Sequence, residues 1–152
     1  MNGNFKSFLI VALAAYCFMR FVYPRLKRML RGRNVAYIEP KDLEKKLSAK
    51  EDLLLIDLRT QGEFYNMFGH IDHAINLPFG EFMIRISETA DRLAGFKDTP
   101  VVLTGLRDEN SVFKAYCVLK QKGFANVAIL NYGVSNWLRQ GLPTVERNVK
   151  KV

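Results

Sequence analysis

The stretch PVVLTGLRDENSVFKAYCVLKQKGF, Pro100 to Phe124, decides the fold. It opens with Val101 to Thr104, a short apolar and β-branched run of the kind found in parallel strands buried on both faces. A polar loop follows: Gly105, Leu106, Arg107, Asp108, Glu109, Asn110 and Ser111. SVFKAYCVLKQKG then reads as a helix with a Ser or Asn cap at its start and Gly123 as its stop. In open α/β folds this junction is where chemistry sits, because the strand's carboxyl end and the helix's first amides converge on one spot.

The same alternation extends on both sides. Upstream, YIEPKDLEKKLSAKEDL predicts an entry strand and a short amphipathic helix, with Pro40 near its start and Leu43 and Leu47 four apart. LLLIDLR, Leu53 to Arg59, is a second buried strand ending in polar residues. TQGEFYNMFGHI reads as a loop and short helix, and AINLP, Ala74 to Pro78, as a brief strand. FGEFMIRISETADRLAGF places Phe82, Ile86, Ala90 and Leu93 at helical spacing and closes at Gly95. Downstream, NVAILN is a last strand and GVSNWLRQGLP a short helix ended by Gly141 and Pro143. Strands alternating with helices predict an α/β fold, a parallel sheet flanked by helices.

The chain's 152 residues hold one such domain and a short extra segment, so a second catalytic domain does not fit. Its apolar content of 49% and charged content of 25% are those of a globular protein. The net charge of +8 invites a nucleic-acid reading, but its location excludes one. Residues 1–34 carry 7 of the 23 basic side chains and none of the 15 acids, which leaves 16 bases against 15 acids elsewhere. The domain itself is nearly neutral.

That N-terminal charge follows an apolar stretch. SFLIVALAAYCFM has no charged residue, and Phe5 to Tyr23 is long enough to span a bilayer if Lys6 and Arg20 reach for the two interfaces. Arg20, Arg25, Lys27, Arg28, Arg31 and Arg33 then form a basic run suited to anionic lipid. The reading is one N-terminal transmembrane helix, an anchor over 1–24, followed by a basic juxtamembrane linker over 25–36. The folded domain occupies 37–147 and a tail 148–152. An interfacial helix is the rival for the first segment. The basic excess after the apolar stretch places the domain on the cytoplasmic side, at a bacterial inner membrane. The expected partners are membrane lipid and an unidentified protein, without nucleic acid.

Three pieces in fixed order carry a family likeness: LLIDLRTQGEFYNMFGHIDHAINLP, PVVLTG and KGFANVAILNYGVSNWLRQGLP. Together they resemble the rhodanese-like domain over about Tyr37 to Val145. Asp57, Arg59, Gly69, His70 and Trp137 match its recurring positions, whereas Asp72 and His73 stand where the family usually has other residues, Gly and Pro. Asp57 and Arg59 read as structural, since a carboxylate after a buried strand needs donors. His70 reads as a satisfied fold element and Trp137 as packing for the last helix.

The resemblance implies a sulfur-accepting cysteine at the end of the central strand, and that position falls on Gly105. Cys117 lies in the following helix among Tyr116, Val118 and Leu119, and Cys17 in the apolar stretch, so neither a disulfide framework nor metal-ligand spacing arises. Asp108 and Glu109 outweigh Arg107, the opposite of the electropositive setting that stabilises a thiolate, and read as capping charges for the next helix. The loop is one residue longer than in the sulfurtransferases, as in phosphatases of this fold, but lacks their cysteine and arginine. The expectation is a non-catalytic binding module without cofactor or metal, the loop being a degenerate active site. The alternative is a sulfurtransferase that relays sulfur with a partner's cysteine or through Cys117.

Overall fold

The computed structural model describes residues 3–23, 25–26, 29, 35–89 and 93–145. The chain divides into two compact units, Met1–Val35 and Ala36–Val152.

In the first unit α1, Gly3–Cys17, runs for 15 residues and passes into a π-helical turn, Phe18–Val22. The turn ends with the Tyr23 N–H donating to the Phe18 carbonyl, and Arg25 Nη1 donates to the Phe21 carbonyl at 3.0 Å. Among the described residues no helix is long and apolar enough to cross a membrane. The expected transmembrane helix is thus not shown among them. Helical geometry continues from α1 through the π-helical turn to Tyr23, with the change of winding at Phe18, just before Arg20. Leu9, Ile10, Val11, Leu13 and Tyr16 are all exposed on it. Of the basic run, Lys27, Arg28, Arg31 and Arg33 lie outside the described residues, as does the tail at 148–152.

The second unit is a five-stranded, wholly parallel sheet in the order β1-β5-β4-β2-β3. Its strands are β1 (Tyr37–Ile38), β2 (Leu54–Asp57), β3 (Ile75–Asn76), β4 (Val101–Thr104) and β5 (Val127–Leu130). The helices are α2 (Pro40–Ser48), α3 (Gln61–Phe64), α4 (Phe79–Thr89), α5 (Asn110–Gln121) and α6 (Gly133–Arg139). Central β4 pairs with β2 from Leu54↔Val101 to Asp57↔Thr104 and with β5 from Val101↔Val127 to Leu103↔Ile129. All four of its residues are buried, which explains its unbroken apolar reading.

Alternation along the strands builds two cores. Leu55, Val102 and Leu130 join Leu43 of α2 and Val134 and Trp137 of α6 on one face, together with Ile71. On the other face Leu54, Ile56 and Val101 meet Phe82 and Ile86 of α4 and Leu119 of α5 around an apolar cavity of about 430 Å³. Pro40 opens α2 at its first turn, where the missing N–H costs nothing. The stripe read through Phe82, Ile86, Ala90 and Leu93 is seen in part: α4 is described to Thr89, Ala90 lies outside the described residues, and Leu93, whose N–H donates to the Thr89 carbonyl at 3.2 Å, lines the same cavity as Phe82 and Ile86 before a 3₁₀ turn, Ala94–Phe96.

Candidate functional site

The carboxyl ends of β2 and β4 lie side by side, through Asp57↔Thr104. Asp57 and Arg59 form an ion pair buried to 0% and 4% exposure. Arg59 Nη2 donates to Asp57 Oδ2 at 2.7 Å, Nε donates to both oxygens at 3.0 Å, and the Arg59 backbone N–H adds a bond to Oδ1. The guanidinium also donates to the carbonyls of Glu63 and Gly69 at 3.2 Å each. Gly69 has φ 67, a left-handed turn that suits glycine. The pair thus ties the start and the end of the α3 segment to the sheet, with the carboxylate fully engaged rather than offered to a substrate.

His70 stacks on Phe64 with ring centroids 3.9 Å apart, and its Nδ1 lies 3.3 Å from the Phe64 carbonyl. Its backbone makes an antiparallel bridge with Val145, donating at 3.1 Å and accepting at 2.8 Å. His70 also lines a cleft of about 350 Å³ with Gln61, Tyr65, Asn76 and Val145. Neither this cleft nor the apolar cavity is lined by any residue from 105 to 111. Trp137 is 2% exposed and its Nε1–H donates to the Pro143 carbonyl at 2.9 Å, closing the chain after α6. His73 adopts φ 63, a conformation that favours glycine, with its N–H held by the Asp72 carboxylate at 2.9 Å. The five residues matched by resemblance therefore form a scaffold beside the loop, and they do not converge with it on one reacting point.

The loop itself is docked onto α6. The Val134 and Ser135 N–H groups donate to the carbonyls of Gly105 and Leu106 at 3.0 and 2.9 Å. Such a close approach needs Gly133, where an added Cβ would fall on the Gly105 oxygen and 3.0 Å from the Arg107 nitrogen. Glu109 does not cap α5 through a side-chain hydrogen bond. Asp108 Oδ1 accepts the Tyr132 N–H at 2.8 Å, whereas Glu109 is the residue preceding the helix and makes no side-chain cap bond. The Glu109 carboxylate turns back into the loop instead, accepting the Arg107 N–H at 3.3 Å and the Ser111 hydroxyl at 3.4 Å.

This arrangement bears directly on Gly105. A Cβ placed there would lie 2.8 Å from Val112 Cγ2 and 3.1 Å from Glu109 Oε2, so the space a side chain would need is already filled. Cys117 is half-buried in α5, seven residues past its first residue and about 10 Å further along the axis. Among the described residues no group of three or more His, Cys, Asp or Glu side chains could hold a metal ion.

One device escaped the sequence reading although its signal was present. Thr60 and Glu63 form a reciprocal cap on α3, each side chain accepting the other's backbone N–H, and the T-Q-G-E spacing encodes it. The hydroxyl and backbone N–H of Thr60, in that order, lower the Glu63 pKa below its usual value.

Comparison with known proteins adds a lineage to this geometry. The family model described as "Rhodanese-like domain" matches residues 39–140. A protein named sulfurtransferase from Allochromatium vinosum is 35% identical over 108 residues, covering 71% of this chain and 92% of that protein. A tRNA uridine(34) hydroxylase from Buchnera aphidicola is 30% identical over 106 residues, but the match spans only 32% of its length. Among solved structures, the rhodanese-like domain of an Anabaena protein superposes with a TM-score of 0.60 at 22% identity, covering 76% of this chain and 83% of that one. A thiosulfate sulfurtransferase from Pseudomonas aeruginosa gives 0.61 at 22% identity, covering 75% of this chain and 21% of that one. At these identities the structural likeness concerns the fold.

Proposed function

This chain belongs to the rhodanese-like domain family, and from that premise we propose that it is a non-catalytic member, a binding module whose 105–111 loop faces a protein partner. The observation that carries the proposal is Gly105, which directly follows β4 without a side chain and with Val112 and Glu109 filling the space above it. A nucleophile needs both a reactive atom and room for the atom it attacks. The loop's outer rim supports a recognition role: Leu106 is 39% exposed and Tyr132 45% exposed, on two segments joined by the Asp108 bond. Tyrosine is among the residues enriched where proteins bind one another.

We include in the proposal a membrane-surface contact on the cytoplasmic side through the N-terminal segment. It is supported by the exposed apolar side chains from Leu9 to Tyr23 and by the basic residues that follow them in sequence.

The experiment is sulfur loading. Full-length protein is incubated with thiosulfate and its intact mass measured, with Cys117→Ser as the comparison. The expected result is no gain of a sulfur atom. A gain that disappears in Cys117→Ser would replace this reading with the sulfur-relay alternative, which the identity to the Allochromatium sulfurtransferase favours.

A further inference from the structure

We propose that the crown of β4 is closed by two further side chains, Val112 as a rigid block and Glu109 as a movable one, so that restoring a cysteine at Gly105 would not by itself restore an open sulfur site. The inference rests on the reading of the loop as non-catalytic and moves the cause from one missing atom to three positions.

The argument begins with the two contacts a side chain would meet. Val112 Cγ2 stands 2.8 Å from the place of a Cβ at Gly105, closer than real Cβ atoms come to any neighbour. Val112 is 1% exposed on the first turn of α5, and a β-branched residue in a helix has essentially one χ1 rotamer. It cannot turn aside. Relief requires the helix or the loop to move, and the loop is pinned by the bonds from Val134, Ser135 and Tyr132.

Glu109 is a different kind of obstacle. Its Oε2 lies 3.1 Å from the same point, but the residue is exposed and its carboxylate is the far end of a flexible chain held by two long bonds to Arg107 and Ser111. It can swing into solvent at little cost. Where it remains, its negative charge opposes a second anion at the crown, be it thiolate, persulfide or thiosulfate.

The test uses the full chain with both native cysteines replaced by Ser, and follows iodoacetamide alkylation of the thiol introduced by Gly105→Cys. The thiolate displaces iodide, so the rate reads both access and ionisation. Rates are referred to the same variant in urea. Gly105→Cys alone is expected to be protected at least about tenfold, because the thiol is reached only when the loop or the helix opens locally. Adding Val112→Ala is expected to remove most of that protection. Adding Glu109→Gln, which keeps the volume and removes the charge, is expected to leave the protection in place while moving the pH profile of alkylation to lower pH. A thermal melt of each variant confirms folding, and Gly105→Cys should lower the midpoint less when Val112→Ala is present.

Equal reactivity of Gly105→Cys with and without Val112→Ala would overturn the proposal, and so would continued protection in Gly105→Cys/Val112→Ala/Glu109→Ala. The non-catalytic reading would survive either result, because it is judged on sulfur loading of the chain with its native glycine.

Discussion

The Asp108 carboxylate accepts the backbone N–H of Tyr132 at 2.8 Å, across 24 residues of chain. The bond joins the loop after β4 to the residue before α6, which itself has the left-handed φ of 56. It therefore braces an unfavourable turn and the loop at once.

Asp108→Ala should cost about 1–2 kcal/mol, the range of a partly exposed hydrogen bond to a charged group. Urea unfolding gives the loss. Hydrogen exchange at the Tyr132 amide should quicken relative to the β4 amides. An unchanged Tyr132 exchange rate would mean that the bond does not hold in solution.

The glycines at 133 and 141 separate backbone conformation from crowding. Both have positive φ, 56 and 69, but an added Cβ meets the Gly105–Arg107 backbone at Gly133 and nothing within 4 Å at Gly141. Gly141→Ala should cost about 1–2 kcal/mol from conformation alone. Gly133→Ala should cost about 3 kcal/mol or more, because it also drives the loop off α6. Chemical denaturation of the two variants side by side decides the matter, and equal losses would refute the tight docking.

Asp57→Asn should be among the most damaging single changes outside the apolar cores. It leaves the Arg59 guanidinium, 2% exposed, without its counter-charge. Breaking one partner of a buried pair costs about 3–5 kcal/mol. Circular dichroism melts would register the drop, and a fall of under about 1 kcal/mol would show that the pair is wetter than the geometry implies.

Glu63 sets an acid limit on the α3 cap. Its pKa is lowered in the folded protein by the Thr60 hydroxyl first and the Thr60 backbone N–H second. The sign follows: a carboxyl with a depressed folded pKa contributes stability that is present above its usual 4.5 and is lost as the pH falls through the lowered value. The contribution is small because the residue is exposed. NMR titration of the Glu63 side chain should give a midpoint that rises in Thr60→Ala, and an identical midpoint in the two proteins would contradict the reciprocal cap.

How much of this was legible beforehand depends on the range of the interaction. LLID, VVLT and VAIL announced themselves because strands buried on both faces read as near-continuous apolar runs, here with Asp57 and Thr104 only at their carboxyl ends. The stop at Gly123, with φ 90, and the start at Pro40 were equally local. Asp57 could be marked as a carboxylate needing donors, since a burial cost attaches to the residue type itself, whereas its pairing with Arg59 appears only in the structure. The capping box of Thr60 and Glu63 was written in the spacing but passed unread. By contrast, the apolar N-terminal stretch suggested a spanning helix from composition alone, and no helix among the described residues is long and apolar enough to be one.

The sequence by itself determined the alternation of strands and helices, the parallel sheet, and the identity of the residue at the end of β4, because each of these follows from short-range pattern. Only the tertiary structure decided what surrounds that residue. Nothing in the string DENSV says that the Glu109 carboxylate accepts from Arg107 and Ser111 or that Val112 covers Gly105. Those positions are set by the docking of residues 132–135 on the loop, a contact between segments more than twenty residues apart whose geometry arises from packing of the whole sheet.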